Sequence, residues 1–483
     1  MLEKTDTKLS SFIKGSTVLV LSNICLKAIN FFLLPLYTDN LTPEMMGISD
    51  SITTLTGIIF PILTLGLDSA YSAFYFDKGD DERSKKVFHT LTLSFILIGF
   101  IPILLMLFST PISSALFHKN DYSYIVNYAF ASVSFNLWFL PYSLELRLKN
   151  RMFLFSLANV IASLSMVLLN ILFVSVMHLG EASLVLSTTI VHAEQILIYI
   201  LFVRVVPSKK YFDFALLKKM LKFSIPLIPM SIMMWVLSLS DRYVLLYTHG
   251  SDSVGIYGIG LRFTTLLNVV ISAVTIAYTT FAFSSKDDSN AKKMYFNIYN
   301  IMAFLLMGAS FTVGLFGKEI IQFMTAESYS IAYLPLRDLM FAQSIYGITT
   351  IVGYGISFKK KSIYHFLAVT AGAVLNLLLN LLLIPQYGIV AASLTTLLGY
   401  LLYYILTLYY SKKLYPCNYG EVKVGITMVA LYFICFVSGE MAVVYKMLIW
   451  SVCAIITIIA FKKQLSIVIK YLSRKIRTKK ETL

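Results

Sequence analysis

Residues 87–107 read VFHTLTLSFILIGFIPILLML, a run of 21 without an Asp, Glu, Lys or Arg, and the seven residues ahead of them read DDERSKK. A helix needs about 20 apolar residues to cross the hydrocarbon core of a bilayer, so this stretch reads as a membrane span entered from a charged, aqueous flank. Thirteen further runs of that kind give fourteen expected spans. The first seven are Ile13 to Leu36, Ile48 to Phe74, Val87 to Leu107, Ile125 to Leu144, Phe153 to Met177, Ala182 to Val203 and Ser224 to Leu246. The rest are Val254 to Phe283, Ile298 to Leu315, Leu334 to Phe358, Tyr364 to Ile384, Gly388 to Tyr410, Val422 to Ser438 and Met441 to Phe461. Composition agrees: 58% of the 483 residues are hydrophobic, 13% are charged and the mean hydropathy is +0.76, so lipid is the solvent for most of the chain.

The net charge of +15 raises the question of a nucleic-acid partner, which the position of the charges answers. With alternate loops on opposite sides, 33 of the 40 Lys and Arg fall on one side. Only Lys119, Lys318 and Lys446 fall on the other, and Lys27, Arg242, Arg262 and Arg337 lie inside spans. This is the positive-inside rule: it puts both termini in the cytosol and sets the basic loops against anionic lipid head groups, with no nucleic acid required. The first span carries Lys27 and no A-x-A-like site, so it reads as retained rather than as a cleaved signal peptide. Cys25, Cys435 and Cys453 lie in spans and Cys417 in a short loop, which offers neither a disulfide framework nor CxxC metal spacing. The longest basic loop, Arg204 to Lys222, reads as an interfacial amphipathic helix with Phe214, Leu217 and Leu221 opposite Lys218, Lys219 and Lys222.

Compared with itself at an offset of 210, the chain places Tyr37-Thr38 on Tyr247-Thr248, Lys149 on Lys359, residues 168–172 (LLNIL) on 378–382 (LLNLL), and Ala182-Ser183-Leu184 on Ala392-Ser393-Leu394. Allowing a gap of two, Gly47 meets Gly255 and Lys78 meets Lys286. Each copy holds six spans, an even number, so both run the same way, related by a pseudo-two-fold along the membrane normal. The expected class is therefore an all-α polytopic membrane protein: residues 1–203 as a first six-helix bundle, 204–411 as a second with the linker helix at its start, and 412–483 as two C-terminal helices with a basic tail. Two such bundles enclose a central cavity, the geometry of alternating access.

An ionisable group at a helix centre costs on the order of 2.5–3.5 kcal/mol on insertion scales, which makes each one inside a span a functional candidate. Lys27 shares a helical face with Asn23 and Asn30 midway along the first span; it either snorkels to an interface or lines a cavity as a cation. In the second span Asp50, Thr54, Gly57, Pro61, Thr64 and Asp68 form a stripe of polar and small residues. Tight helix packing accounts for the small ones but not for the two aspartates, which stand as functional candidates. The seventh span carries Ser231, Trp235, Ser238 and Arg242 on one face. The eighth carries Arg262, Thr265, Asn268, Ser272, Thr275 and Thr279. Arg242 lies near the outer end, where a surface contact or a pair with Asp241 competes with a substrate role; Arg337 beside Asp338 is open to the same readings. In the sixth span His192 and Glu194 form either a proton relay or a structural hydrogen-bonded pair.

No HExxH, P-loop, GxSxG or CxxC occurs, and the longest loops are too short for a second catalytic domain. The chain resembles the polysaccharide-transporter branch of the multidrug/oligosaccharidyl-lipid/polysaccharide exporter superfamily, namely the O-unit and capsule-repeat flippases of bacteria. The resemblance rests on Leu34-Pro35-Leu36-Tyr37-Thr38 with Leu41-Thr42-Pro43 and Gly47, on Gly66-Leu67-Asp68-Ser69-Ala70 ahead of Phe74-Tyr75-Phe76, and in the second half on Pro226-Leu227-Ile228-Pro229, Ser240-Asp241-Arg242-Tyr243 and Val254-Gly255-Ile256-Tyr257. It implies a V-shaped transporter of the bacterial cytoplasmic membrane. Its cargo would be an undecaprenyl-diphosphate-linked oligosaccharide, flipped outward without a cofactor or metal, with polymerase and chain-length proteins of the pathway as partners. By that resemblance Val422 to Phe461 forms a groove for the lipid tail, and proton antiport runs through Asp68 or Glu194. Lys27 and Arg262 are the candidate diphosphate ligands, with Arg242, Asn23, Asn30, Thr265 and Asn268 as further substrate-binding candidates; Asp50 and His192 complete the coupling candidates. A drug antiporter of the multidrug branch is expected to have an acidic cavity, which the embedded cations oppose. A glycan polymerase is expected to carry a large outer loop rich in Arg or His, which this chain lacks.

Overall fold

The computed structural model describes residues 31–75, 81–284 and 290–481, and all regular structure among them is helical. Ten of these helices are long and apolar enough to cross a bilayer. Two of the ten hold two expected spans each, folded back at a single glycine. Gly250 (φ 79°) divides 228–249 from 251–284, and Gly388 (φ 56°) divides 363–387 from 389–414. Only a residue without a Cβ takes such backbone angles at no steric cost, so each glycine makes a hairpin with almost no loop. The fourth expected span lies on Ser123–Leu148, 26 residues long. Most of the first, with Lys27, Asn23 and Asn30, lies outside the described residues.

By compactness the chain divides into two units: one takes the chain up to Gly258 together with Ile384–Gly388, the other Ile259–Leu383 and Ile389–Leu483. The first unit has a core of Tyr71, Phe88, Phe95, Leu137, Tyr142 and Tyr199, continued by Leu216 and Met220 of the linker helix. A second cluster joins Ile48 and Ile52 to Ile125, Val126 and Phe130.

The second expected span is not one helix. Pro43–Thr64 stops at Leu65 (φ 51°) and Gly66 (φ 64°), and Leu67–Tyr75 starts afresh. Pro61 removes one hydrogen bond from the last turn, and a Cβ on Gly66 would stand 2.9 Å from the carbonyl oxygen of Ser224, so the linker helix occupies the space at the break. The expected stripe thus ends at Thr64, and Asp68 belongs to the first turn of a separate helix. The linker helix is Phe214–Ser224, capped by Asp213, whose Oδ1 accepts from the amide of Leu216 at 2.9 Å. Its buried seam is Leu216, Met220 and Ser224, with Leu217 and Leu221 half-buried beside it. Phe214, expected on the apolar face, is 70% exposed. Ahead of the helix, the amide of Ser208 donates to His89 Nδ1 (3.1 Å), that of Asp213 to Thr90 Oγ1 (3.0 Å), and Tyr211 stacks on His89.

In the second unit, Ala291–Leu315 and Leu336–Val352 approach through small residues: Ser310 Oγ lies 2.7 Å from Ser344 Oγ and donates to the Met340 carbonyl at 2.8 Å. The last two helices are tied to this unit by crossed ion pairs. Lys318 meets Glu440 at 2.8 Å, and the buried Lys446 meets both oxygens of Glu319, at 2.8 and 3.0 Å. Hydrogen bonds from Lys318 and Tyr333 hold the Glu440 carboxyl below its usual range. Lys119, in the first unit, faces Glu44 at 3.8 Å. All three cations of the charge-poor side therefore have carboxylate partners.

The residues paired by the internal duplication behave in two ways. Asn170 donates to the Tyr37 hydroxyl at 2.8 Å, whereas Asn380 donates to Asn376 Oδ1 at 3.0 Å and accepts from Thr395, and Tyr247, the counterpart of Tyr37, is 80% exposed. Gly47 and Gly255, in contrast, meet reciprocally. A Cβ on Gly47 would collide with the carbonyl of Ser251, and one on Gly255 with the carbonyl of Pro43. Each glycine faces the residue four positions ahead of the other, the pattern of a two-fold contact. Gly47→Leu and Gly255→Leu are each expected to destabilise the protein by at least about 1–3 kcal/mol, read as a lower melting temperature of the purified protein. Gly308→Leu, where a Cβ meets nothing within 4 Å, is the control expected to leave it unchanged.

Candidate substrate site

The polar face of 228–249 lies against Pro43–Thr64 in the first unit. Arg242 Nη1 donates to Thr54 Oγ1 at 2.9 Å, Trp235 Nε1 to the Thr54 carbonyl at 3.3 Å, and the Tyr243 hydroxyl to the Ser51 carbonyl at 3.4 Å. Gly57 leaves room for the indole: a Cβ there would stand 3.3 Å from Trp235 Nε1. The Thr54 hydroxyl donates to the Asp50 carbonyl (2.7 Å), so its lone pairs face the guanidinium. Arg242 and the Asp50–Thr54 stripe, read from separate parts of the sequence, are thus brought together.

The neighbouring Asp241 is not the partner of this guanidinium. It is 1% exposed; its Oδ1 accepts from the backbone amide of Arg242 at 2.8 Å and its Oδ2 from the Tyr257 hydroxyl. Arg242 is half-buried, its Nε has no hydrogen-bond partner, and no carboxylate among the described residues pairs with it. A half-buried guanidinium with no carboxylate partner among the described residues is chemically suited to an oxyanion of planar, two-oxygen geometry.

In the second unit, Arg262 is half-buried and its carbonyl accepts from Thr265 Oγ1 at 2.6 Å, so the threonine hydroxyl donates within its own helix. Asn268 Oδ1 accepts from Gln343 Nε2 at 2.6 Å, Thr275 faces Thr350 at 3.4 Å, and Thr279 bonds Tyr354. Each pair is 75 residues apart, so the two helices run parallel and in register along a ladder of amides and hydroxyls. Gln343, Thr350 and Tyr354 were not among the expected site residues. Their spacing of seven and four, the same as that of Asn268, Thr275 and Thr279, was the readable signal.

The structure does not assemble His192 and Glu194 into a relay. His192 Nδ1 lies 2.8 Å from Ser132 Oγ on Ser123–Leu148, while Glu194 Oε1 accepts from Ser165 on Met152–Ile171 at 3.0 Å. Two positions apart on a helix, they point about 200° from each other. Two buried carboxylates lay outside the expected set of site residues. Glu145 is 3% exposed, accepts from the Tyr71 hydroxyl and pairs with Lys149 at 2.7 Å. Its i,i+4 relation to a lysine was visible in the sequence; Tyr71, 74 positions away, was not. Asp338, 1% exposed, accepts from Arg337 Nε (2.8 Å), Tyr432 (3.0 Å) and Ser393 (3.1 Å), while the Arg337 guanidinium lies over the rings of Tyr432 and Phe436. This pair joins three helices of the second unit.

Among the described residues the architecture is all-helical, with ten helices long and apolar enough to cross a bilayer. A family model described as polysaccharide biosynthesis protein matches residues 12–285, more than half of the chain, and the protein belongs to that family. No curated protein matches it by sequence. Among solved structures it is similar to the lipid II flippase MurJ in an inward closed conformation, at 17% identity and a TM-score of 0.72 over 95% of this chain and 99% of that one. An inward-facing MATE-family multidrug resistance transporter of the MOP superfamily aligns at 14% identity and a TM-score of 0.64, over 86% of this chain and 98% of that one. A MOP-superfamily transporter from Pyrococcus furiosus, described by the reverse polarity of its binding pocket, aligns at 14% and 0.60, over 83% and 95%. At these identities the likeness defines the fold.

The bonding of Arg337 and Asp338 makes them structural. Asp338→Asn is expected to cost about 3 kcal/mol by leaving the guanidinium unpaired, and adding Arg337→Met to recover most of that loss, in melting temperatures of the purified protein. A double variant no more stable than Asp338→Asn would contradict mutual neutralisation.

Proposed function

We propose that the protein flips an undecaprenyl-diphosphate-linked oligosaccharide repeat unit across the bacterial cytoplasmic membrane, from the cytosolic to the outer leaflet, by alternating access between the expected bundles 1–203 and 204–411. The observation that carries this reading is the guanidinium of Arg242: half-buried, bonded to a threonine hydroxyl, and unmatched by any carboxylate among the described residues. A drug antiporter for cations has no use for such a group. A diphosphate does, because Arg presents two parallel donors to its oxygens. The ladder from Asn268 to Tyr354 supplies donors and acceptors for sugar hydroxyls. Membership of a polysaccharide biosynthesis family agrees with that cargo. Without an ATPase motif, energy comes from an ion gradient or from removal of the product, with Asp50, Asp68, His192 and Glu194 as the groups to test for coupling.

The test deletes the gene in its host and measures lipid-linked oligosaccharide in each leaflet after complementation with wild type, Arg242→Ala, Arg242→Lys and Arg262→Ala. A charge-assisted hydrogen bond is worth about 1.5–3 kcal/mol. Arg242→Ala is therefore expected to slow outward appearance roughly 10- to 100-fold, with Arg242→Lys in between. Unchanged surface glycan in the deletion strain, together with raised sensitivity to cationic drugs, would replace this reading by drug export.

A further inference from the structure

We infer that the linker helix Phe214–Ser224 is a docking surface for anionic phospholipid of the leaflet it lies against. The helix has three kinds of face. Leu216, Met220 and Ser224 are buried against the first unit. At 100° per residue, Lys218 and Lys222 stand opposite that seam, with Lys219 on one flank and Phe214 on the other. All three lysines are exposed, and none has a carboxylate partner among the described residues. Lys119, Lys318 and Lys446, on the charge-poor side, are each matched by Glu44, Glu440 or Glu319. For the three linker lysines no carboxylate among the described residues plays that part, and a lipid phosphate can.

The apolar groups beside the lysines select a lipid over a free phosphate. Phe214 is 70% exposed, Ile225 50% and Phe223 46%, so rings and a branched side chain that acyl chains could cover flank the ammonium groups. The helix is also fixed in place. His89 and Thr90 accept from the amides of Ser208 and Asp213, and Phe223 meets Phe74 edge to face with 5.9 Å between ring centroids. Ser224 fills the space beside Gly66 at the break of the second span. A phospholipid held by the three lysines therefore bears on the segment that keeps Leu65 and Gly66 in their left-handed turn. The site is independent of which cargo the protein carries.

The experiment uses the full chain purified in a zwitterionic detergent and titrated with phosphatidylglycerol or phosphatidylcholine, with bound lipid read by native mass spectrometry and melting temperature followed in parallel. Wild type is expected to retain phosphatidylglycerol in preference to phosphatidylcholine and to melt higher with it. Lys218→Gln, Lys219→Gln and Lys222→Gln together are expected to weaken retention about fivefold for each lysine removed. The same three positions changed to Arg keep it. The matched control is Lys359→Gln, Lys360→Gln and Lys361→Gln, on the same basic side, expected to change retention less than about twofold for each lysine. Equal retention of the two lipids by wild type overturns the proposal, as does a loss in the Arg variant as large as in the Gln variant. A control triple that matches the linker triple also overturns it, because the effect would then belong to the whole basic face. Retention of inorganic phosphate in place of the lipid would assign the lysines to a soluble anion instead.

Discussion

In hydrocarbon a backbone N–H or C=O without a partner costs several kcal/mol, and no water is present to take its place. A helix meets that constraint within itself, so the places where a span is interrupted are informative. They fall on residues in the left-handed region of backbone conformation. Gly250 and Gly388 close hairpins, and Leu65 and Gly66 stop the second span where Ser224 stands beside it. The linker helix is thereby a part of the first unit's packing, with Leu216 and Met220 in the same core as Tyr71 and Tyr199.

The same low dielectric sorts the charges. Glu145, Asp241 and Asp338 are almost fully buried, and each accepts a tyrosine hydroxyl: Tyr71, Tyr257 and Tyr432. A phenol satisfies a lone pair without adding a second charge, and its ring packs as a hydrophobe. Arg337 is neutralised by Asp338 and covered by two rings. Arg242 departs from this pattern, since its neighbouring carboxylate is taken by Tyr257 and by a backbone amide. Glu145 and Asp338 neutralise Lys149 and Arg337, whereas no carboxylate among the described residues neutralises Arg242.

Most of the fold was legible because its signals are local. Length and hydropathy located the spans. The break at Leu65 was not legible: Pro61 and Gly66 are both compatible with a packed helix, and only the carbonyl of Ser224, from more than 150 positions away, makes the glycine necessary. The site was legible in its parts. Arg242 and the Thr54 stripe stood out separately, but the choice between Asp241 and Thr54 as partner depends on the rotamer that packing imposes. His192 and Glu194, adjacent in a list of ionisable residues, are served by different helices.

The reciprocal contact of Gly47 and Gly255 bears on how a chain of this length could have arisen. A contact that maps onto itself under a two-fold needs only one set of instructions. A single six-helix chain carrying one such glycine could meet a second copy of itself through the same surface, with both copies inserted in the same direction. Fusing the two copies would then preserve the crossing without any new interface. On that route the two glycines would afterwards be separate targets for mutation, and each still lets the other helix approach closely. The pair of buried asparagines, freed from that mutual requirement, has already parted company: one bonds a tyrosine and the other a threonine and an asparagine. The paired glycines are alike in their surroundings, and the paired asparagines are not.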